Sequence, residues 1–559
     1  MEKILRIFGK EYGSISQAAL LLGIFAFLSQ VLALFRDRFI AHFIGPSPEL
    51  DAYYAAFRAP DLIFICIASL ASITVLIPFI VAKMDGDKVT PLAQKHLNDV
   101  FTVFFSVIVL VSLIMFFLMP LLAPYIAPGF SPFFQDKLIV LSRIMLLSPI
   151  LLGLSNLFGT VTQLFRKFFI YALSPIFYNV GIIIGVVFFY PFFGIYGVAG
   201  GVVLGAFMHF IIQVISSSSS GFRPKFSFSV DFKDIGKVAA VSLPRTLGLA
   251  FNNISLIFIV ALASYLKSGS ISIFNFSLSL QSVPLNIIGI SYAVAAFPTL
   301  AKSVSQGKMD EFKDHLKEAA RAIVFWSLPV IFLFIVLRAQ IVRVILGSPS
   351  FSWDNTRLVA ACLAIFSVSI LAQGMITLLS RAYYATGNTK RPFIVNFLCS
   401  LLIIILSYFF IYIFKNWLTF RYFIESMLKV NDIAGTEVLM LPLAYSTGTI
   451  LNSILQWVFI KHDFMKTESF ITKTFFQSLG ASFFLGLVTY LSLNIFSPVF
   501  GTTTFWGVFL QGLISGILGI VAAVLVLYFL ENKELQDLFK TLKTNFWRAK
   551  VLAPSQEGL

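Results

Sequence analysis

The feature that most constrains this chain is the recurrence along its whole length of apolar runs about 20 residues long, the length that crosses a bilayer core as a helix. Fourteen such runs lie at 14–35, 52–82, 98–123, 138–162, 169–190, 193–215, 237–266, 270–300, 320–345, 357–383, 391–414, 438–461, 472–495 and 504–531. Only helices and closed barrels satisfy their own backbone in lipid, so spans of this kind are expected to be helical, and the fold class is an all-α polytopic membrane protein. Composition agrees: with 58% hydrophobic and 12% charged residues the chain is too apolar for a water-soluble globule. Pro78, Pro149, Pro175, Pro244, Pro284, Pro298 and Pro329 fall in or near spans and predict kinked or broken helices.

The net charge of +15 would point to nucleic acid in a soluble protein. Here the basic residues fall in short loops between spans, where they set orientation. With the N-terminus inside, inner segments carry 28 Lys and Arg and outer segments 10, so both termini are expected in the cytoplasm. The basic N-terminus is followed by an apolar stretch too long for a signal-peptide core, which reads as a retained first helix. Cys66, Cys362 and Cys399 lie in apolar runs without the spacing of a zinc site or a disulfide framework.

A serine run at 216–220, followed by Gly221-Phe-Arg-Pro-Lys225, divides six spans from the next six. A faint repeat supports the division. Pro78 near the end of span 2 and Pro298 near the end of span 8 are 220 residues apart, and Arg166 and Arg381 are 215 apart. The expected organisation is therefore a six-helix lobe at 1–215, a cytoplasmic linker at 216–236, a second six-helix lobe at 237–461, appended helices 13 and 14 at 462–531, and a cytoplasmic tail at 532–559. An even number of spans per lobe makes the lobes parallel, related by a pseudo-two-fold axis along the membrane normal, with a central site between them.

Charges inside or at the ends of spans are costly in lipid and mark candidate pathways. They concentrate between Ser29 and Pro78, in Arg36-Asp37-Arg38, Asp51 and Arg58. Arg36, Arg58 and, from span 7, Arg245 present planar guanidinium forks suited to phosphate or diphosphate oxygens. Asp51 is placed to hold one of them through an ion pair. Two readings stay open for Arg38 and Arg245, a cavity cation or an anchor that snorkels to the headgroups. There is no Walker A motif, His-Glu-x-x-His, Gly-x-Ser-x-Gly or clustered acid pair for Mg²⁺. The reading is a carrier that uses no cofactor or metal, and not an enzyme.

Several stretches resemble the MurJ/MviN lipid II flippases of the multidrug/oligosaccharidyl-lipid/polysaccharide exporter superfamily. They are Ser29-x-Val-Leu-x-x-x-Arg36-Asp37, Asp51-Ala-x-x-x-Ala-Phe-x-x-Pro60-x-Leu62, Ala127-Pro-Gly-Phe130, Pro175-x-x-x-Asn179, Ser268-Gly-Ser270 and Arg381-Ala-Tyr-Tyr-Ala-Thr-Gly-Asn-Thr-Lys390-x-Pro392. The resemblance runs from about residue 14 to 530. It implies fourteen helices in two six-helix lobes plus a C-terminal pair. It also implies export of undecaprenyl-diphosphate-linked peptidoglycan precursor across the bacterial inner membrane by alternating access, with cell-wall synthesis enzymes as candidate partners. The chain departs from the family at Gln30, Phe64 and Ser279, where arginines are expected, which reduces the cations of the cavity. The rival readings are a flippase for another polyprenyl-linked oligosaccharide such as O-antigen or capsule units, a cation-coupled drug antiporter, which would favour buried acids, and a membrane scaffold that recruits wall enzymes.

Overall fold

A computed structural model of the chain describes residues 15–68, 76, 79–80, 83–84, 90–165, 167–219, 225–465, 471–501 and 504–546. Pro78 and Arg166, half of each repeat pair, lie outside these residues. The described residues are overwhelmingly helical, as the span lengths predict. Ten helical stretches are long and apolar enough to cross a membrane, and an eleventh counts if one pair bent by 41° is a single span. The expected first, second and seventh spans are not among them; each includes residues or side chains outside the description.

Helix starts follow local chemistry. Ser47-Pro48 opens α2 (Pro48–Ala56) and Thr90-Pro91 opens α4 (Pro91–Ile126). In each, the hydroxyl accepts an otherwise unpaired first-turn N–H, and proline has no N–H there to leave unpaired. Before them run α1 (Ile15–Phe43) and, between them, the short α3 (Arg58–Ile63), which widens into a π turn at Phe64–Ala68. The expected second span is therefore broken near its start, at Phe57.

The chain forms two compact units. One holds Met1–Val283, Val342–Ser369 and Gly387–Gln456; the other holds Pro284–Ile341, Ile370–Thr386 and Trp457–Leu559. The first contains α1 to α4, then α5 (Pro132–Met145), α6 (Leu147–Leu164), α7 (Phe168–Ile184), α8 (Ile195–Ser219), α9 (Phe232–Ala263) and nearly all of α10 (Ser270–Pro284). Close packing of α7 on α8 depends on glycines four residues apart, Gly181 and Gly185 facing Gly205 and Gly201. A Cβ on Gly181 would stand 2.2 Å from the Gly205 Cα, and one on Gly185 2.5 Å from the Gly201 Cα. Without a hydrophobic drive between helices in lipid, such backbone approach supplies the packing.

At Pro284 the ring cannot donate to the helix ladder, and the chain widens through the turn Leu285–Ile290 into α11 (Ser291–Ser305). The second unit takes in α11, α12 (Met309–Val336), α15 (Ile370–Ala385), α19 (Thr472–Phe500), α20 (Phe505–Phe529) and the amphipathic α21 (Lys533–Phe546). Its core sets Phe312, Leu316 and Ala320 of α12 against Leu378, Leu379 and Tyr383 of α15. The segment between, α13 (Arg338–Leu346), runs from the second unit into the first, which also holds α14 (Trp353–Val368), α16 (Lys390–Asn416) and α18 (Met440–Ile460) through Gln456.

The long segment 415–437, for which the sequence offers no role, contains a further helix, α17 (Leu418–Leu428), ended by Lys429 in the left-handed conformation. Arg357 of α14 fixes it with two bonds to the Asp432 carboxylate, at 2.6 and 2.7 Å, and two to the Lys429 carbonyl. Cys66, Cys362 and Cys399 are unpaired.

Candidate functional site

Within the first unit the charges of α1 to α3 meet one face of α10. Arg36 folds back on its neighbour: its Nε and Nη2 donate to the Asp37 carboxylate at 2.9 and 2.8 Å. Its Nη1 donates to the Asn179 side-chain oxygen on α7 at 3.1 Å. Asn179 in turn donates to the Pro175 carbonyl at 3.1 Å and the Ser29 hydroxyl at 3.4 Å, which orients its oxygen toward the arginine. The other Asp37 oxygen accepts the Ser279 hydroxyl of α10. Asp37 is nearly fully buried whereas the Arg36 side chain is 23% exposed. A guanidinium has five N–H donors; three of those of Arg36 are occupied, and among the described residues nothing accepts from the other two.

Asp51 stands apart from the arginines. Among the described residues the ion pair expected for it does not form; its carboxylate accepts the Gly269 N–H at 2.6 Å, the Ser272 N–H at 2.7 Å and the Ser272 hydroxyl at 2.6 Å. These donors belong to the first turn of α10, whose backbone N–H groups lack helical acceptors and form a ready-made anion site. Gly269, with φ of +90°, takes the left-handed conformation that turns its N–H toward the carboxylate. The acid that pairs with an arginine is Asp37.

Arg58, at the first position of α3, is buried. Its Nη2 donates to the Asn275 side-chain oxygen at 2.7 Å, and its Nε is buried without a partner among the described residues. Asp61, three residues on, interacts with it electrostatically. Arg38, which the sequence left between cavity and headgroup, donates from Nη1 to the carbonyls of Val344 and Ile345 at 2.6 and 3.3 Å. It satisfies carbonyls at the C-terminal end of α13, where a cation also suits the helix dipole. Arg245 lies on α9, and its side chain is outside the described residues.

On α10 the three acceptors and donors are Ser272, Asn275 and Ser279. Their spacing of three and four puts them on one stripe, so α10 presents a polar seam to Asp51, Arg58 and Asp37 in turn. Sequence reasoning missed Ser272, Asn275 and Asn179 as site residues. The helical spacing of short polar side chains inside span 8 was the available signal. Ser279, where an arginine was expected, supplies a neutral hydroxyl and leaves Asp37 with Arg36 as its salt-bridge partner. Among the described residues no cluster of His, Cys, Asp or Glu is arranged to hold a metal ion.

The fold is one shared by MATE-type and MurJ-type polytopic membrane proteins of known structure. It superposes on a MATE-family multidrug resistance transporter in its inward-facing conformation with a TM-score of 0.61 at 12% identity, over 78% of this chain and 94% of that one. It superposes on a lipid II flippase MurJ in an inward closed conformation with a TM-score of 0.71 at 22% identity, over 93% of this chain and all of that one. Residues 40–510 match the family described as lipid II flippase MurJ, and the chain belongs to that family. Relatives named probable lipid II flippase MurJ include one from Buchnera aphidicola subsp. Schizaphis graminum, 26% identical over 72% of this chain and 79% of its own length. Another, from Borreliella burgdorferi, is 31% identical over 47% of this chain and 52% of its own length.

Proposed function

We propose that this protein carries lipid II, the undecaprenyl-diphosphate-linked peptidoglycan precursor, from the cytoplasmic to the outer leaflet of the bacterial plasma membrane by alternating access. The observation that carries the reading is Arg36. It is fixed by Asp37 and Asn179, partly exposed, and retains two donors without an acceptor among the described residues, in a fork that suits a diphosphate. Membership of the flippase family supplies the substrate class.

In this reading Arg36 and Arg58, joined by Arg245, contact the diphosphate. Asp51 serves the cycle through α10: its cap holds the outer start of that helix closed, and releasing it opens the path outward. The N- and C-termini are cytoplasmic, the two lobes are residues 1–215 and 237–461, and wall-synthesis enzymes are candidate partners. The loss of cations at Gln30, Phe64 and Ser279 favours one second reading, a flippase for another polyprenyl-linked oligosaccharide with a less demanding head. Replacing the resident flippase of a conditionally depleted bacterium tests both. Rescue of growth with lipid II cleared from the cytoplasmic leaflet supports the first reading. Failure, in cells where the protein is inserted and an alternative lipid-linked glycan is exported, supports the second. Cysteine labelling tests orientation: Ser218→Cys is expected to be protected from an impermeant reagent in intact cells and Asn431→Cys to react.

A further inference from the structure

The helix α17 is inside out for a segment in water. Its inward side carries the charges: Glu425 is 2% exposed and accepts from the Arg421 Nε at 3.0 Å and the Thr436 hydroxyl at 2.6 Å, with Ile424 and Leu428 buried beside it. Its outward side carries none. Leu418, Tyr422, Phe423 and Met427 are each more than half exposed, with only Thr419 and Ser426 between them. Trp417, just before the helix, is exposed as well and stacks on Phe420 with ring centroids 6.1 Å apart. The protein itself fixes this orientation. Arg421 lies over the Phe414 ring of α16 at 5.7 Å, so α17 folds back across the end of that span, and Arg357 of α14 holds the turn that follows at Lys429 and Asp432.

What covers the uncharged face follows from the surface it continues. The exposed side of α16 is an apolar stripe at helical spacing, Leu398, Leu401, Ile405, Tyr408 and Tyr412, as a span presents to lipid. The stripe runs out on Tyr412 and Trp417, the residue types that mark the boundary between hydrocarbon and headgroups. The face of α17 begins at that level, directly after the last residue of the span. Aromatic and aliphatic side chains held there leave water when they enter the interfacial layer, so their burial is favourable, while the hydroxyls of Thr419, Tyr422 and Ser426 stay among polar headgroups. The face also lacks the charge that would orient a soluble protein partner. We propose that α17 is an interfacial helix whose uncharged face rests in the phospholipid headgroup layer beside α16, and that it thereby fixes the depth and tilt of that span. The seat stands apart from the flippase reading; in the orientation given above the leaflet is the outer one.

The test places a nitroxide label at Phe423→Cys or Met427→Cys in the full-length protein lacking Cys66, Cys362 and Cys399, held in nanodiscs of phosphatidylcholine and phosphatidylglycerol. Labels at Tyr412→Cys, on the lipid-facing stripe, and at Asn431→Cys, in the exposed turn beyond α17, serve as references. Molecular oxygen concentrates in the bilayer and a nickel chelate in water, so the ratio of their collision rates with the label reports depth. At both test positions the oxygen-to-nickel ratio is expected to exceed that of Asn431→Cys several-fold and to approach that of Tyr412→Cys. A ratio equal to that of Asn431→Cys puts the face in water, open to a soluble partner, and overturns the proposal. Labels shielded from both reagents overturn it too, because a second copy of the chain then covers the face. Should the cysteine-free protein fail to fold, wild type and Trp417→Phe are compared in nanodiscs whose phosphatidylcholine is brominated near the headgroup end of its chains. The fluorescence that Trp417 contributes is expected to be quenched there, and its full survival refutes the seat.

Discussion

The cap that Asp51 places on α10 yields a quantitative prediction. Asp51→Asn preserves shape but removes the charge and turns one acceptor into an NH₂ donor. Of the three bonds, to the Gly269 N–H, the Ser272 N–H and the Ser272 hydroxyl, the hydroxyl can rotate to become an acceptor, but a backbone N–H cannot. At least one buried donor is then left facing a donor, which costs about 1–3 kcal/mol. The lost charge at a helix N-terminus adds roughly 0.3–2 kcal/mol. A total of about 3 kcal/mol corresponds to an opening of the α10 start on the order of a hundredfold more frequent. Hydrogen exchange read on a peptide covering Gly269 to Ser272 measures this directly. The expected result is faster exchange in that peptide, with peptides from α7 and α8 unchanged, and reduced lipid II export at matched expression. Asp51→Glu retains charge but overshoots by a methylene, and should fall between the two. Unchanged exchange in Asp51→Asn would refute the reasoning, because the cap would then carry no local stability.

Arg36→Lys retains charge but loses the fork that binds Asp37 and Asn179 together, so binding of the diphosphate-linked lipid should weaken by on the order of tenfold or more, about 1.5–3 kcal/mol; binding equal to wild type counts against Arg36 as the anion contact. Arg38→Ala uncaps two carbonyls of α13 and should lower thermal stability while leaving that affinity unchanged. Gly181→Val drives a side chain into the Gly205 backbone and should cost about 1–3 kcal/mol or more of stability, seen as a lower melting temperature in detergent; an unchanged melt rules out the close approach. Lys83 holds the Asp234 carboxyl below the usual aspartate range by hydrogen bonding it, so this contact contributes stability above the ordinary aspartate pKa of about 4 and loses it as pH falls through the lowered value. Asp234→Asn should flatten the acid limb of a melting-temperature profile, and a limb identical to wild type would deny the contact that role.

Helix-forming spans, their break points at Pro284 and the basic bias of the loops are properties of local sequence. Any apolar run of that length must satisfy its own backbone in lipid, whatever surrounds it, and the charges between Ser29 and Pro78 announce a polar site because lipid tolerates them nowhere else. The sequence by itself therefore determined the class of fold and singled out the charged stretch that carries the candidate site, whereas the close helix pairing at Gly181 and Gly205 emerged only in the structure. Which acid meets which base was decided only in three dimensions. Arg36 reaches Asp37, beside it in the chain, and Asn179, 143 residues away, while Asp51 turns to an amide 218 residues distant. Those choices depend on where helix ends fall to within a fraction of an ångström, and each is worth about 1–3 kcal/mol, far less than inserting a span. The free N–H groups at the start of α10 outcompeted the arginines for Asp51 because a helix terminus offers several oriented donors at once. That terminus was made available by tertiary packing, which no pattern of residues along the chain records.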